Sequence, residues 1–403
     1  MEPMNATARY TADRCEVWCG TQNGEAAFAA VLAASGLPAD KCDVHKFLLG
    51  GAFGRRGAFH DFVRQAVLIA KQMPGTPIKL IWSREEDMTH CAFHPVTQCK
   101  LTAGLDASGK VVGMHMRISG QSINATLNPA GIQGGKDMRQ LQGYWAEPGD
   151  AQLGYAVPNL LVEYAMRNTH VPVGPWRGVN TNQNAVYMEC FIEECAKAAG
   201  KDSLEFRRAM MKDYPKHLAV LNAAAEKGDW GKPLPPGVHR GIAQFMGYAS
   251  YSAAVAEVSV SASGQLKVHR LVLALDCGHA VNPQQIEAQV EGSFAFGLSA
   301  ALWGECTVKD GRIAAVGGVI DLQVKVFNVK DGITEVAFAR RLGRDADRAM
   351  VLALLDALAA GLLERETLIR DDFDRLLRGE PLAARVEIPT NPPTVPPAAV
   401  TPE

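Results

Sequence analysis

The heptapeptide Gly50-Gly51-Ala52-Phe53-Gly54-Arg55-Arg56 lies between a predicted strand at residues 43–49 and a predicted helix at residues 58–72. Glycine lets a backbone approach a ligand closely and turn its N–H donors toward anionic oxygens. The glycine spacing matches neither a P-loop nor the G-x-G-x-x-G fingerprint of dinucleotide-binding folds. Two interpretations therefore stay open, a tight strand-to-helix turn and a backbone cradle for an anionic group.

The two arginines of the heptapeptide stand at the expected start of the helix. Cations are unfavourable there, because the N-terminal end of the helix dipole is positive. This conflict predicts an anionic partner for Arg55, Arg56 or both.

A second unusual segment, Pro175-Trp176-Arg177-Gly178-Val179-Asn180, precedes a predicted helix at residues 184–199. A guanidinium beside an aromatic ring and a glycine can hold an oxyanion or a phosphate. The alternative is a structural tryptophan packed on an arginine, which the local sequence favours.

A third segment, Asp276-Cys277-Gly278-His279-Ala280-Val281-Asn282-Pro283, ends a predicted strand and leads into a helix at residues 283–303 that contains Gln289. Helix N-termini of this kind bind dinucleotide phosphates. The same residues also suit a plain strand–turn–helix, with Asn282 as the N-cap and Pro283 at the first helical position.

The composition excludes several classes of protein. In 403 residues, 41 Lys and Arg stand against 43 Asp and Glu, so the charge predicts no nucleic-acid partner. No apolar run reaches the ~18 residues that a transmembrane helix needs. The nine cysteines form no C-x-x-C pair, which argues against a zinc ribbon or an iron–sulfur cluster held by this chain alone. His90 and His94 lack the glutamate of an H-E-x-x-H metal site.

The composition also changes along the chain. Lys330 is the last lysine and Cys306 the last cysteine, and only four of the 38 glycines follow residue 330. We therefore place a boundary near residue 330 and predict a helical appendage of different origin at residues 331–380. Residues 381–403 include seven prolines and are expected to form a disordered tail.

The order and spacing of these motifs resemble the molybdenum hydroxylases, the xanthine dehydrogenase/aldehyde oxidase superfamily. Within it, the chain looks most like the large (beta) subunits of isoquinoline 1-oxidoreductase type. The resemblance covers about residues 1–320. It is carried by Thr21-Gln22-Asn23, Gly50–Arg56, Pro175-Trp176-Arg177-Gly178, Asp276-Cys277-Gly278 with Asn282-Pro283, and Gln289-Val290-Glu291-Gly292.

The resemblance implies an α+β fold in which helices and sheets form two molybdenum-cofactor-binding regions, the first at residues 1–120 and the second, incomplete, at residues 121–330, followed by the short helical appendage. It implies a molybdenum–molybdopterin cytosine dinucleotide cofactor, and hydroxylation of an N-heterocycle or an aldehyde with water as the oxygen source. It also implies, as partner, a small 2Fe-2S protein that transfers electrons. Because no secretory signal is visible, the chain predicts a cytoplasmic location, whereas intact relatives can be periplasmic.

Residue roles follow from the same resemblance. Gln22 would donate a hydrogen bond to an oxygen on the metal, and Arg177 would lie beside the metal, which the pterin rather than the protein holds. Gln289 would help to bind the pterin dinucleotide. The remaining cofactor contacts would come from the turn, namely Gly50, Gly51, Ala52, Phe53, Gly54 and Arg55. We therefore predict that Gln22, Phe53 and Arg177 converge in one cleft.

Three departures from the family pattern bear on activity. From the resemblance we expect the family's leading domain to be missing before Met1, and Ala52 replaces the middle glycine of G-G-G-F-G. The general-base glutamate of a G-V-G-E-type motif is missing, because Gly379-Glu380-Pro381 lacks the flanking residues. Glu189 and Glu193 are poor substitutes if their helix turns its charged face to solvent. The alternative to an enzyme subunit is therefore a non-catalytic remnant or fusion that retains at most the binding of cofactor or of a partner subunit.

Overall fold

The computed structural model describes residues 2–144, 153–302, 304–317, 324–329 and 333–338. The chain divides into two units, Met1–Ala339 and Arg340–Glu403, and every described residue belongs to the first. The helical appendage and the proline-rich tail predicted after residue 330 lie outside the described residues, apart from one strand discussed below.

The first part of the chain forms a four-stranded sheet of order β3-β2-β1-β4, in which only the β2–β3 pair is parallel. Helices α1 and α3 pack on it, and their apolar side chains, among them Phe62 of α3, form a core with Ala8 and Val17 of the sheet. The elements are β1 (Asn5–Tyr10), β2 (Cys15–Gly20), α1 (Gly24–Ser35), β3 (Cys42–Phe47), α2 (Arg55–Ala58), α3 (Asp61–Ala70), β4 (Ile78–Ile81) and α4 (Arg84–Thr89).

Local signals explain where these helices begin and end. Asn23 precedes an Ala-rich run, which predicts that it is a helix N-cap. Its Oδ1 accepts a hydrogen bond from the backbone N–H of Ala26 at 3.1 Å and caps α1. Gly36 ends α1 with φ of 74°, the left-handed conformation that glycine adopts without strain. The helix predicted at residues 58–72 is confirmed as α3, but it begins only at Asp61, because a break at Phe59 and His60 separates it from the short α2.

The next part of the chain builds two further sheets around a second, larger core. One has the order β5-β6-β7, and the other contains β8, β9 and β10 as neighbouring antiparallel strands. The sequence predicts hairpins at residues 97–119 and 254–274, and both are confirmed, as β5–β6 and β9–β10. The elements are β5 (Thr97–Leu105), β6 (Val111–Gly120), α5 (Ile123–Leu127), β7 (Leu160–Met166), α6 (Thr181–Ala198), α7 (Ser203–Met210), α8 (Pro215–Lys227), β8 (Val238–Gly247), β9 (Ser250–Val260) and β10 (Leu266–Asp276).

Helix α9 and four strands complete the described residues. Val290 and Phe294 of α9 pack with Leu271 of β10 in a small third core. Strand β14 pairs with β10, and β13 pairs with β14. The bounds are α9 (Pro283–Leu302), β11 (Glu305–Lys309), β12 (Arg312–Gly317), β13 (Val324–Val329) and β14 (Ile333–Phe338).

Strand pairing bears on the predicted division of the chain. Strands β6 and β7 flank position 120 and pair with each other, and β13 and β14 do the same around position 330. Neither position therefore separates two sheets, and the division into four regions stays a prediction.

The mixture of helices and sheets confirms the predicted α+β class. None of the helices in the described part of the chain is both long and apolar enough to cross a membrane.

Candidate functional site

A pocket of about 350 Å³ lies where five separate segments of the chain meet. Gln22, Phe53 and Arg177 all line it, so their predicted convergence is confirmed. The complete lining consists of Gln22, Phe53, Gly54, Pro175, Trp176, Arg177, Gly178, Val179, Tyr248 and Gln289.

Gln22 follows β2 and is held by the turn that carries the glycines. Its backbone N–H donates to the carbonyl of Arg56 at 3.1 Å, and its side-chain Oε1 accepts from the N–H of Gly54 at 3.0 Å. Because the amide oxygen is used by Gly54, the amide nitrogen is the group left to donate to a ligand.

The Gly50–Arg56 turn is in direct backbone contact with the segment that precedes α6. Arg177 donates its backbone N–H to the carbonyl of Phe53 at 3.0 Å. Gly54 has φ of 108°, and a Cβ added there would lie 2.2 Å from the carbonyl oxygen of Pro175. Only glycine fits this position, which explains how residues more than 100 positions apart form one wall of the pocket.

The Arg177 side chain is half-buried and tied to helix α9. Its guanidinium donates to the backbone carbonyl of Gln289 at 2.7 Å and to the side-chain Oε1 of Gln289 at 3.1 Å. It also lies 5.5 Å from the ring centroid of Phe296, and burial lowers the pKa of Arg177. A Cβ at Gly292 would come within 3.1 Å of the guanidinium, so glycine leaves room for it.

Two aromatic residues that line the pocket pack on the ring of a third, Phe296. Phe53 packs on Phe296 at 4.3 Å between ring centroids, and Trp176 packs on the same ring at 5.8 Å. His94 meets Trp176 edge-on, and its Nε2 lies 3.1 Å from the carbonyl of Val179. The ring that lies against Arg177 is thus Phe296, a residue that no sequence motif singled out.

The two arginines of the turn find their anionic partners within the chain. Arg55 forms two hydrogen bonds of 2.8 Å with the carboxylate of Asp61, and Arg56 pairs with Glu2 at 3.0 Å. The Arg55 guanidinium does not line the pocket. These contacts do not support a cofactor role for the Arg55 side chain.

Other predicted residues occupy the surroundings of the pocket. Gly50, Gly51 and Ala52 continue the turn without lining the pocket in the described part of the chain. The carbonyl of Gly50 accepts from the backbone N–H of Glu2 at 2.8 Å, and Ala52 is buried.

At the start of α9, Asn282 Oδ1 accepts from the N–H of Gln285 at 3.2 Å, which confirms the predicted N-cap.

Tyr248 is a lining residue that the sequence motifs did not indicate. It occupies the β8–β9 turn together with Ala249, and both residues have positive φ, 53° and 59°. Two successive residues of this kind are typical of a type I′ hairpin turn, which usually carries Asn or Gly. Burial alternates along β8 and β9, but nothing in the local sequence indicates that the tip of their hairpin reaches the pocket.

The expectation that Glu189 faces solvent is wrong. Glu189 is 6% exposed, and its carboxylate accepts from Tyr155 at 2.6 Å and from Arg207 at 3.1 Å. The periodicity of α6 misled because a buried arginine of α7 reaches this carboxylate. Glu193 is partly exposed and also pairs with Arg207, at 3.1 Å.

The chemistry of the lining suits an anionic, oxygen-rich group. The amide nitrogen of Gln22 and the guanidinium of Arg177 are donors on opposite segments, and no aspartate or glutamate lines the pocket in the residues that the structure describes. Charge-assisted hydrogen bonds from such donors are strongest at a site that is partly shielded from water. A pterin phosphate or a metal-bound oxide has this character, so the residues present fit a molybdopterin group.

Comparisons with known proteins agree with this chemistry. Residues 1–211 match one molybdopterin cofactor-binding domain family, and residues 182–317 match a second. The chain therefore belongs to the molybdopterin cofactor-binding domain family of the molybdenum hydroxylases.

Curated relatives include subunits of two oxidoreductases. The beta subunit of isoquinoline 1-oxidoreductase from Brevundimonas diminuta is 30% identical over 326 residues, which are 77% of this chain and 40% of the relative. A nicotinate dehydrogenase subunit from Pseudomonas putida is 25% identical over 340 residues, 78% of this chain and 28% of the relative. The chain thus spans less than half the length of these relatives.

A solved structure shares the fold. The crystal structure of quinoline 2-oxidoreductase from Pseudomonas putida 86 superposes with a TM-score of 0.64 at 13% identity. The match covers 78% of this chain and 64% of that chain.

Proposed function

We propose that this chain is the cofactor-binding part of a molybdenum hydroxylase and holds the cofactor at the pocket of Gln22 and Arg177. The observation that carries the proposal is the convergence of these two donors in a pocket that no described carboxylate lines. The substrate would be an N-heterocycle or an aldehyde, hydroxylated with water as the oxygen source. Relatives named for isoquinoline and nicotinate oxidation support this class.

Each proposed role corresponds to a group of this chain. Gln22 would donate from its amide nitrogen to an oxygen of the molybdenum centre, since its amide oxygen is held by Gly54. Arg177 would hold an anionic oxygen beside the centre, with Gln289 keeping its guanidinium in place. The packed rings of Phe53 and Phe296 would exclude water from the side of the site that they cover. When bound, the cofactor would supply a redox-active molybdenum that takes up the electrons of the oxidised substrate.

The proposal also covers the form of the pterin and the partner that accepts the electrons. We propose the cytosine dinucleotide form of the pterin, with Gln289 and the backbone of residues 50–54 as contacts. We also propose that a small 2Fe-2S subunit accepts the electrons. Its support is that the isoquinoline and nicotinate relatives are both named as subunits.

A second candidate function is the binding of cofactor or partner without turnover. It is favoured by the absence of Asp and Glu from the pocket lining within the described residues, because hydroxylation in this family uses a carboxylate base. The two candidates differ in whether the chain turns over a substrate.

Metal analysis tests the proposed cofactor site. The full chain is produced together with a 2Fe-2S subunit in a host that makes the pterin cofactor, and molybdenum is measured per chain. We expect a near-stoichiometric content for the wild type and a loss of on the order of 10-fold for Arg177→Ala. Arg117→Ala, at an exposed arginine on β6, is the matched control and should retain the metal. Wild-type protein free of molybdenum would contradict the proposal, as would equal contents in all three proteins.

A further inference from the structure

Arg56 is the most deeply buried cation around the pocket, although it does not line it. Its side chain is 0% exposed. The guanidinium donates to the carbonyl of Gly20 at 2.9 Å and to that of Pro3 at 2.8 Å, and it pairs with Glu2 at 3.0 Å. It also lies over the ring of Phe62. Burying a charge costs free energy unless the charge is paired and hydrogen-bonded, and these contacts offset that cost for Arg56.

The backbone carbonyl of Arg56 accepts hydrogen bonds from the residues that follow β2. Its carbonyl accepts from the N–H of Gln22 at 3.1 Å and from the hydroxyl of Thr21 at 3.2 Å. The same hydroxyl lies 2.8 Å from Nε2 of His60. Side chain and backbone of one residue therefore hold Gly20, Thr21 and Gln22 in sequence.

We propose that Arg56 is a positioning residue that sets the orientation of the Gln22 amide. By holding residues 20–22 against the turn, it brings Oε1 of Gln22 to the N–H of Gly54 and leaves the amide nitrogen facing the pocket. The identity of the ligand that this nitrogen meets rests on the proposed function. The orientation itself does not.

Arg55 has a different task, although it is the neighbouring residue and is also buried. Its guanidinium donates to Asp61, to the carbonyl of Phe59 at 3.1 Å and to the sulfur of Cys91 at 3.1 Å. None of these contacts involves residues 20–22. The doubled arginine thus combines one residue that ties the turn to the start of α3 with one that orients Gln22.

Lysine cannot replace the planar fork of Arg56. A guanidinium presents several donors in fixed directions, whereas an ammonium group is a single point charge on a flexible chain. Arg56→Lys would leave the carbonyl of Gly20 or that of Pro3 without its donor in a buried environment. Residues 20–22 would then loosen from the turn, and the Gln22 amide would no longer be held by Gly54.

Nuclear magnetic resonance of the cofactor-free, full-length chain tests this orientation. The chain is labelled with ¹⁵N in its glutamine side chains, and loss of one amide pair in Gln22→Ala assigns the Gln22 signal. In the wild type we expect a dispersed signal typical of a fixed amide. In Arg56→Lys it should move to the position of a solvent-exposed glutamine, whereas in Arg55→Lys it should stay in place.

A second variant keeps the test decisive if Arg56→Lys does not fold. Thr21→Val removes the hydroxyl that bonds to the carbonyl of Arg56 while keeping the shape of the side chain, and it should shift the Gln22 signal in the same direction. A Gln22 signal that stays unchanged in the folded variants of Arg56 and Thr21 would overturn the inference. Equal shifts in Arg55→Lys and Arg56→Lys would also overturn it, since they would report general loosening.

The molybdenum content of the same variants separates this inference from the proposed function. If both hold, Arg56→Lys should lose on the order of 10-fold of its metal. If the wild type contains no molybdenum, the proposed function fails while the amide measurement still decides the role of Arg56.

Discussion

Strained backbone conformations occur at the residues that line the pocket. Phe53, Val179 and Tyr248 all have φ between 50° and 53°, and none is a glycine. A left-handed conformation costs a residue with a side chain roughly 1–2 kcal/mol. Contacts such as the 3.0 Å hydrogen bond between the N–H of Arg177 and the carbonyl of Phe53 hold these conformations in place. Such strain is typical of functional sites.

Gly54→Ala tests whether the turn and the Pro175 segment meet as closely as the structure shows. The added Cβ would lie 2.2 Å from the carbonyl oxygen of Pro175 at a residue with φ of 108°. We expect the free energy of unfolding to fall by about 3 kcal/mol or more, measured by urea denaturation. Gly36→Ala is the matched control, because it has positive φ but open space around it, and it should cost only about 1 kcal/mol. Equal losses would show that the close contact is absent.

At the scale of elements, the break between α2 and α3 places a histidine in the protein interior. His60 is buried beside Thr21, and burial lowers its pKa from the ordinary value of 6.5. The unfolded chain therefore binds a proton at this residue more readily than the folded chain does. The stability that this residue contributes is present above pH 6.5 and is lost as the pH falls through that value toward the lower pKa of the folded state.

His60→Gln should reduce the loss of stability on acidification. We expect the wild type to lose more unfolding free energy between pH 7.5 and pH 5.5 than the His60 variant, measured by urea denaturation at both pH values. His239→Gln, at an exposed histidine on β8, should show the same pH dependence as the wild type. If the His60 variant also follows the wild-type profile, this histidine is not a source of acid sensitivity.

At the scale of the whole molecule, a buried charge network joins the helices of the larger core to the strand that leads to Tyr248. The carboxylate of Glu189 on α6 accepts from Arg207 on α7 and from the backbone N–H of Gln244 on β8, the latter at 3.0 Å. Burial raises the pKa of Glu189, and Arg207 opposes that effect. The network fixes α6, which follows Arg177 in the chain, against β8, which precedes the Tyr248 turn.

Glu189→Gln should destabilise the whole fold. Removing one charge of a buried pair leaves the other uncompensated, and we expect a loss of about 3 kcal/mol in urea denaturation. Glu193→Gln on the same helix removes a partly exposed partner of the same arginine and should cost less than about 1 kcal/mol. A smaller effect at Glu189 than at Glu193 would contradict the importance of the buried pair.

Turnover by the chain distinguishes the two candidate functions. A positioned base contributes ~10²–10⁴-fold to rate, and the described pocket lining contains no carboxylate. With cofactor and 2Fe-2S subunit supplied, we expect little or no oxidation of isoquinoline-like heterocycles or aromatic aldehydes, assayed with an artificial electron acceptor. Activity near that of a full-length large subunit, lost in Arg177→Ala but kept without residues 331–403, would reveal an unrecognised base.

The sequence by itself determined features that depend on neighbouring residues. The Asn23 cap of α1, the Asn282 cap of α9 and the two hairpins were predictable, because caps and turns act over about four residues. The motif order also indicated the family and the meeting of Gln22, Phe53 and Arg177, although no local pattern explains that meeting.

Only the tertiary structure decided which partner each polar side chain meets. Arg55 bonds to Asp61, Glu189 is buried against Arg207, and Tyr248 reaches the pocket from a distant hairpin. The partners of Glu189 and the neighbours of Tyr248 come from other elements, and even Asp61 meets Arg55 only because the chain breaks between α2 and α3. Helical periodicity and charge counts record the residue types but not which elements pack together, and that packing decides whether a charge meets water, a ligand or another charge.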